Sequence, residues 1–260
     1  MKEALNIAIL QCDIYWEDAS KNRSQIEEYI QSLTDVDLIL LPEMFSTGFS
    51  VSSIHLAEKM DGLTVNWMKR IAKKYYSVLC GSLMIEEDGL VYNRLLWVEP
   101  SGAIQQYDKR HLFKLIDEDK YFTAGTQRLL IDYKGWKICP LICYDLRFPV
   151  FSRNDVDYDL LLYVANWPNK RISAWDTLLK ARAIENQSYV IGLNRVGVEG
   201  NNAHYSGHSQ VIDPEGNLIA NAPENESGLL ELTLTKAPIL QVRKRLPFLS
   251  DRDDFNLNNS

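Results

Sequence analysis

The 260-residue chain lacks several features that would settle its class at once. It has only four cysteines and four histidines, and its formal net charge is −7, with 28 Lys and Arg against 35 Asp and Glu. Without a basic surplus there is no electrostatic footprint for nucleic acid, and the longest Lys/Arg run is Arg243-Lys244-Arg245. No apolar run approaches the roughly 18 residues of a membrane-spanning helix. The apolar stretch from Ala4 to Leu10 is too short and interrupted for a secretory signal, so a cytoplasmic protein with reduced thiols is expected. The familiar GxGxxG, GxxxxGK[ST], HExxH and GxSxG patterns are all missing, which removes motif support for nucleotide cradles, zincins and serine hydrolases. His204 and His208 have metal-like spacing but no evident third ligand, so neither metal nor cofactor is expected.

What is present is an ordinary globular composition, 46% hydrophobic and 24% charged. Apolar runs of strand length, such as Leu5–Gln11, Asp37–Pro42, Trp136–Ile142 and Asp159–Ala165, alternate with helical patterns over Asp18–Leu33, Val65–Tyr76 and Ile172–Glu185. Turn dipeptides at Ser101-Gly102 and Lys134-Gly135 predict hairpins between those units. The expectation is a single α/β domain over residues 1–260, with a core at about 4–248 and a polar tail.

Three reactive side chains stand where strand-like runs stop. Glu43 follows DLILLP and is dehydrated on one side, as suits a general base. Lys109 ends IQQYDK and could offer a fixed positive charge to a developing oxyanion. Cys143 ends WKICPLIC, at a strand-to-helix turn whose backbone N–H groups would lower the thiol pKa. A redox pairing of Cys143 with Cys139 fails, because four strand residues span about 13 Å. Ligands of α/β sheets collect at the carboxyl ends of strands, where all three residues lie.

These pieces, LILLPEMFSTGF, YDKRHLF and CPLICYDLRFPVFSRN, with ANWPNKR, LLKARAIENQSYVIGLNRVG and YSGHSQVIDPEGN downstream, resemble the nitrilase superfamily of carbon–nitrogen hydrolases, and most of all its bacterial ω-amidases. Val150 departs from the Glu that many superfamily members carry after the Arg-Phe-Pro stretch. The resemblance implies a four-layered αββα sandwich, usually paired through helices into dimers or larger assemblies. It implies a Glu43-Lys109-Cys143 triad working through a thioester, with Glu118 as a second glutamate and the backbone N–H of Tyr144 at the oxyanion. The substrate would be a small anionic amide, 2-oxoglutaramate or 2-oxosuccinamate. Its carboxylate needs a cation, for which Lys114, Arg147, Arg171 and Arg195 are candidates, and Phe45, Phe113 and Trp167 could wall the pocket. Another amidase of the superfamily, for deaminated glutathione or N-carbamoyl compounds, and a catalytically silent binding protein on the same fold are the alternatives.

Overall fold

The computed structural model describes residues 4–200 and 202–257. Its elements in chain order are β1 (Ala4–Gln11), α1 (Ala19–Ile30), β2 (Leu38–Leu40), α2 (Leu63–Tyr75), β3 (Val78–Glu87), β4 (Leu90–Val98), β5 (Ile104–Asp108), α3 (Glu118–Tyr121), β6 (Ile131–Tyr133) and β7 (Trp136–Ile142). There follow β8 (Leu160–Ala165), α4 (Ile172–Asn186), β9 (Tyr189–Asn194), β10 (Val196–Val198), β11 (His204–Ser206), β12 (Gln210–Ile212), β13 (Leu218–Asn221), β14 (Gly228–Thr235) and α5 (Ala237–Arg245).

Two six-stranded sheets result, ordered β14-β1-β2-β3-β4-β5 and β13-β12-β9-β8-β7-β6. Each has three parallel strands at its centre, β1-β2-β3 and β7-β8-β9, with antiparallel strands on both flanks. The period-2 alternation of strand side chains explains how the first sheet sits between two layers. Leu5, Ile7 and Ile9 of β1 join the cluster shared with the second sheet, whereas Ala8 and Leu10 pack with Ile26 and Ile30 of α1 and with Val65, Met68 and Ile71 of α2. On the far side of the second sheet, Trp175, Leu179 and Ala183 of α4 and Ile239 of α5 close its outer face. The layers are therefore helix, sheet, sheet, helix.

The helix boundaries have local causes. Asp18 caps α1 by accepting from Lys21 N at 2.9 Å. The chain leaves α2 and α4 through left-handed residues, Tyr76 (φ 52°) and Gln187 (φ 44°). Among the described residues no helix is long and apolar enough to cross a membrane.

Candidate active site

Glu43 and Lys109 come from the first sheet and Cys143 from the second, each just beyond a strand end. Glu43 follows β2 through Leu41-Pro42, and Met44 (φ 45°) turns the chain away behind it. Lys109 directly follows β5, its N–H donating to Asn93 O on β4 at 2.9 Å. Cys143 directly follows β7, at φ 43°, as the first residue of a 3₁₀ turn over Cys143–Arg147. The left-handed conformation costs a residue with a Cβ about 1–2 kcal/mol, so the turn must be held by its surroundings.

Glu43, Lys109 and Glu118 meet away from water. Lys109 Nζ donates to Glu43 Oε1 at 3.0 Å and to Glu118 Oε1 and Oε2 at 2.9 and 3.0 Å, and all three side chains are fully buried. Asn93 Nδ2 donates to Glu43 Oε1 at 2.8 Å, and Asn166 N donates to Glu43 Oε2 at 2.7 Å. Glu118 Oε2 also accepts from Phe113 N at 2.5 Å. Glu43 is thus fixed from both sides, by Asn93 and Asn166 as well as by Lys109.

One ammonium serves two carboxylates, and this sets the electrostatics. Burial works against the charge on Lys109, but Glu118 and Glu43 outweigh it and hold the ammonium well above lysine's ordinary range. Burial pushes the Glu118 carboxyl up, with Lys109 opposing. Burial, and then the negative charge of Glu43, push the Cys143 thiol well above its usual value against the pull of Lys109. This overturns the expectation of a thiol activated by turn amides: at rest the sulfur keeps its proton, beside a carboxylate placed to take it.

Lys109 and Cys143 open onto a cavity of about 100 Å³. Phe113, Trp167 and Tyr144 line it, and so do Arg147 and Arg171. The Arg147 guanidinium lies 4.8 Å from the Trp167 ring and that of Arg171 lies 5.0 Å from Phe113. No carboxylate of the described residues pairs with either arginine.

The chain's residues 6–244 match the family model described as carbon-nitrogen hydrolase. This protein belongs to the carbon-nitrogen hydrolase family. It is 44% identical over 253 residues to the omega-amidase YafV of Escherichia coli (strain K12), covering 97% of this chain and 98% of that one. It is 34% identical over 251 residues to the 2-oxoglutaramate amidase of Bacillus subtilis (strain 168), covering 94% and 96%. It also superposes on the crystal structure of a CN-hydrolase superfamily protein from Xanthomonas campestris that carries an arsenic adduct in its active site, with a TM-score of 0.96, 44% identity and coverage of 98% and 99%. The chain is a hydrolase of carbon–nitrogen bonds other than peptide bonds.

Three of the candidate substrate-binding residues of the hydrolase lie outside the cavity. Phe45 is 1% exposed and packs on Trp67 at 5.9 Å, in the cluster beneath α1 and α2; Phe49 lines the cavity instead, its ring 4.9 Å from Lys109 Nζ. Arg195 is buried beneath the site with its guanidinium committed to Asp13 at 2.7 Å and Glu199 at 3.3 Å. Lys114 has an 82% exposed side chain facing Asp119 at 4.0 Å. Residues not singled out from the sequence also form the site. Asn93 and Asn166 orient Glu43, while Glu199 lines the cavity and accepts from Phe49 N at 2.7 Å and Tyr205 Oη at 2.6 Å. Asn166 was findable, since it stands directly after β8 in ANWPNKR, at the same kind of strand end as the trio.

Proposed function

We propose that this hydrolase is an ω-amidase that releases ammonia from the terminal amide of 2-oxoglutaramate or 2-oxosuccinamate. The observation that carries the reading is the pair Arg147 and Arg171, two guanidiniums without carboxylate partners among the described residues, in the same small cavity as Cys143 and Lys109. A short 2-oxo acid presents a carboxylate to the arginines and its distal amide to the thiol. The likeness to an omega-amidase and a 2-oxoglutaramate amidase over nearly the full length supports the same substrate class.

In the mechanism, Glu43 takes the Cys143 proton as sulfur attacks the amide carbon. Lys109 and the backbone N–H of Tyr144 stabilise the tetrahedral oxyanion, where a single such donor is worth about 3 kcal/mol. Glu43 passes the proton to the departing ammonia, leaving a Cys143 thioester, and then activates the water that hydrolyses it. Glu118 holds Lys109 in place and charged. The thiol, carboxylate and ammonium supply nucleophile, base and electrostatic partner, so the reaction calls on no metal or cofactor. We place the enzyme in the cytoplasm, as a homodimer or larger assembly of one catalytic domain over about residues 4–248, with neither nucleic acid nor membrane as a partner.

The test is ammonia release from 2-oxoglutaramate beside simple nitriles and N-carbamoyl amino acids, with Cys143→Ala as control. Turnover of the oxo-amide that is lost in the variant is expected. Preference for a nitrile or a carbamoyl compound would overturn the ω-amidase reading, and ammonia release by Cys143→Ala would remove the nucleophile assignment.

A further inference from the structure

Lys109 and Cys143 arrive from different sheets, yet the hydrolysis proposed above needs the ammonium and the sulfur in fixed relation. One carboxylate spans the two loops. Asp145 is fully buried and accepts four hydrogen bonds. Its Oδ1 takes His111 N at 3.1 Å and His111 Nδ1 at 2.7 Å, and its Oδ2 takes Tyr107 Oη at 2.7 Å and Ile142 N at 3.0 Å. Tyr107 and His111 stand two residues before and two residues after Lys109, and Ile142 immediately precedes Cys143.

The lysine loop is drawn in further around the same point. Tyr107 Oη accepts from Arg110 N at 3.1 Å, and the His111 ring stacks on Phe148 at 3.6 Å between centroids and 5° between planes. Phe148 itself follows the nucleophile turn directly. A turn-capping role alone would account for the bond to Ile142 N, but three of the four donors come from Tyr107, near the end of β5, and His111, on either side of Lys109.

We infer that Asp145 is a positioning residue for the hydrolysis: its carboxylate ties the lysine loop to the nucleophile turn, holding the oxyanion-stabilising ammonium in register with the thiol. The role demands an acceptor on both oxygens. Asparagine at this position must turn its NH₂ toward one of two pairs of donors. Facing His111, it orphans the His111 backbone N–H even if the imidazole changes tautomer. Facing Tyr107 and Ile142, it orphans the Ile142 N–H even if the tyrosine hydroxyl rotates. One loop is released in either case, and a misplacement of about 1 Å at reacting groups lowers turnover on the order of 10²-fold.

The test compares Asp145→Asn with the unsubstituted enzyme, using the amide that the latter hydrolyses fastest. Two readouts are normalised to folded protein: kcat and KM per titrated Cys143, and the rate of Cys143 alkylation by iodoacetamide followed on its peptide by mass spectrometry. The expected result is a kcat lower on the order of 10²-fold, a KM within about threefold, and alkylation of Cys143 slowed about tenfold as Lys109 leaves the sulfur. Both figures scale with the displacement of the reacting groups. Tyr107→Phe, which removes one donor and keeps the ring, gives a smaller kcat loss, and in the double variant it adds little because both changes act on one carboxylate; it carries the test if Asp145→Asn does not fold. A kcat within threefold of the unsubstituted value together with unchanged alkylation, whatever the melting temperature does, would overturn the inference. If the unsubstituted enzyme hydrolyses no amide offered, the proposed function fails while the alkylation arm alone still decides the role of Asp145.

Discussion

Replacing Lys109 with methionine keeps most of the side chain's length and removes its charge from between two carboxylates. The ammonium lies 3.0 Å from Glu43 and 2.9 Å from Glu118, with all three side chains fully buried. Removing one partner of a buried ion pair costs about 3–5 kcal/mol, because the remaining charge stays buried. At about 2–4 °C per kcal/mol for a domain of this size, the melting temperature falls by roughly 6–20 °C. The loss depends on pH in a definite direction. Lys109 has its pKa raised in the folded enzyme, so its contribution is fully present below lysine's ordinary pKa and is constant between pH 5 and 8. In Lys109→Met, Glu118 loses the ammonium that opposes its upward shift, so its folded pKa rises further. That penalises folding above its unfolded value and is relieved as the pH falls toward it. Thermal unfolding of both proteins at pH 5, 6, 7 and 8 therefore gives a gap widest at pH 8 and narrowest at pH 5. A gap under about 2 °C at pH 8, or one equal at both ends of the range, would refute the reasoning, since it falls short of the roughly 6 °C minimum derived above. The same variant loses about 10²–10³-fold in kcat if the ammonium is an oxyanion donor.

Two further perturbations probe other parts of the molecule. Arg147→Ala and Arg171→Ala each remove a charge-assisted contact worth about 1.5–3 kcal/mol, so KM for 2-oxoglutaramate rises on the order of 10–10²-fold with a smaller change in kcat; steady-state kinetics with an uncharged amide as comparison should show little change in KM. At Gly207, with φ 82°, an added Cβ would stand 2.3 Å from Oε1 of Gln11, the residue that donates to Pro223 O and Glu226 O. Gly207→Ala is expected to cost about 2 kcal/mol or more, and calorimetry showing an unchanged melting temperature would contradict it.

Much of this architecture is legible in the sequence because most strands are buried on both faces. The apolar run Trp136–Ile142 is β7 over its full extent, and the pattern over Ile172–Glu185 is α4 to within one residue. The run Asp37–Pro42 shortens to Leu38–Leu40, because only three residues of β2 align with β1 and β3. The β10–β11 hairpin escapes a hydrophobic reading, since Gly197 and His204 interrupt its pattern. In the site, strand-end placement picks out Glu43, Lys109 and Cys143, but direction within a loop is not encoded locally. Phe45 and Phe49 share one short segment, and only packing on Trp67 sends the first into the core. Arg195 looks as available as Arg147 until Asp13, 182 positions away, is found against it.

The pairing of β1 with β14 bears on how the protein is made. Gln11 aligns with Gly228 and Ala4 with Thr235, so one side of a central strand of the first sheet is completed by β14, the last strand in chain order among the described residues. At roughly 5–20 residues per second on the ribosome, that edge stays open for ten seconds or more. Through that interval β1 offers unpaired backbone groups to any passing strand, and the first sheet cannot finish before β14 has emerged. The hydrolase is therefore most exposed to misassembly while nascent, and slowing translation late in the message would lengthen that exposure.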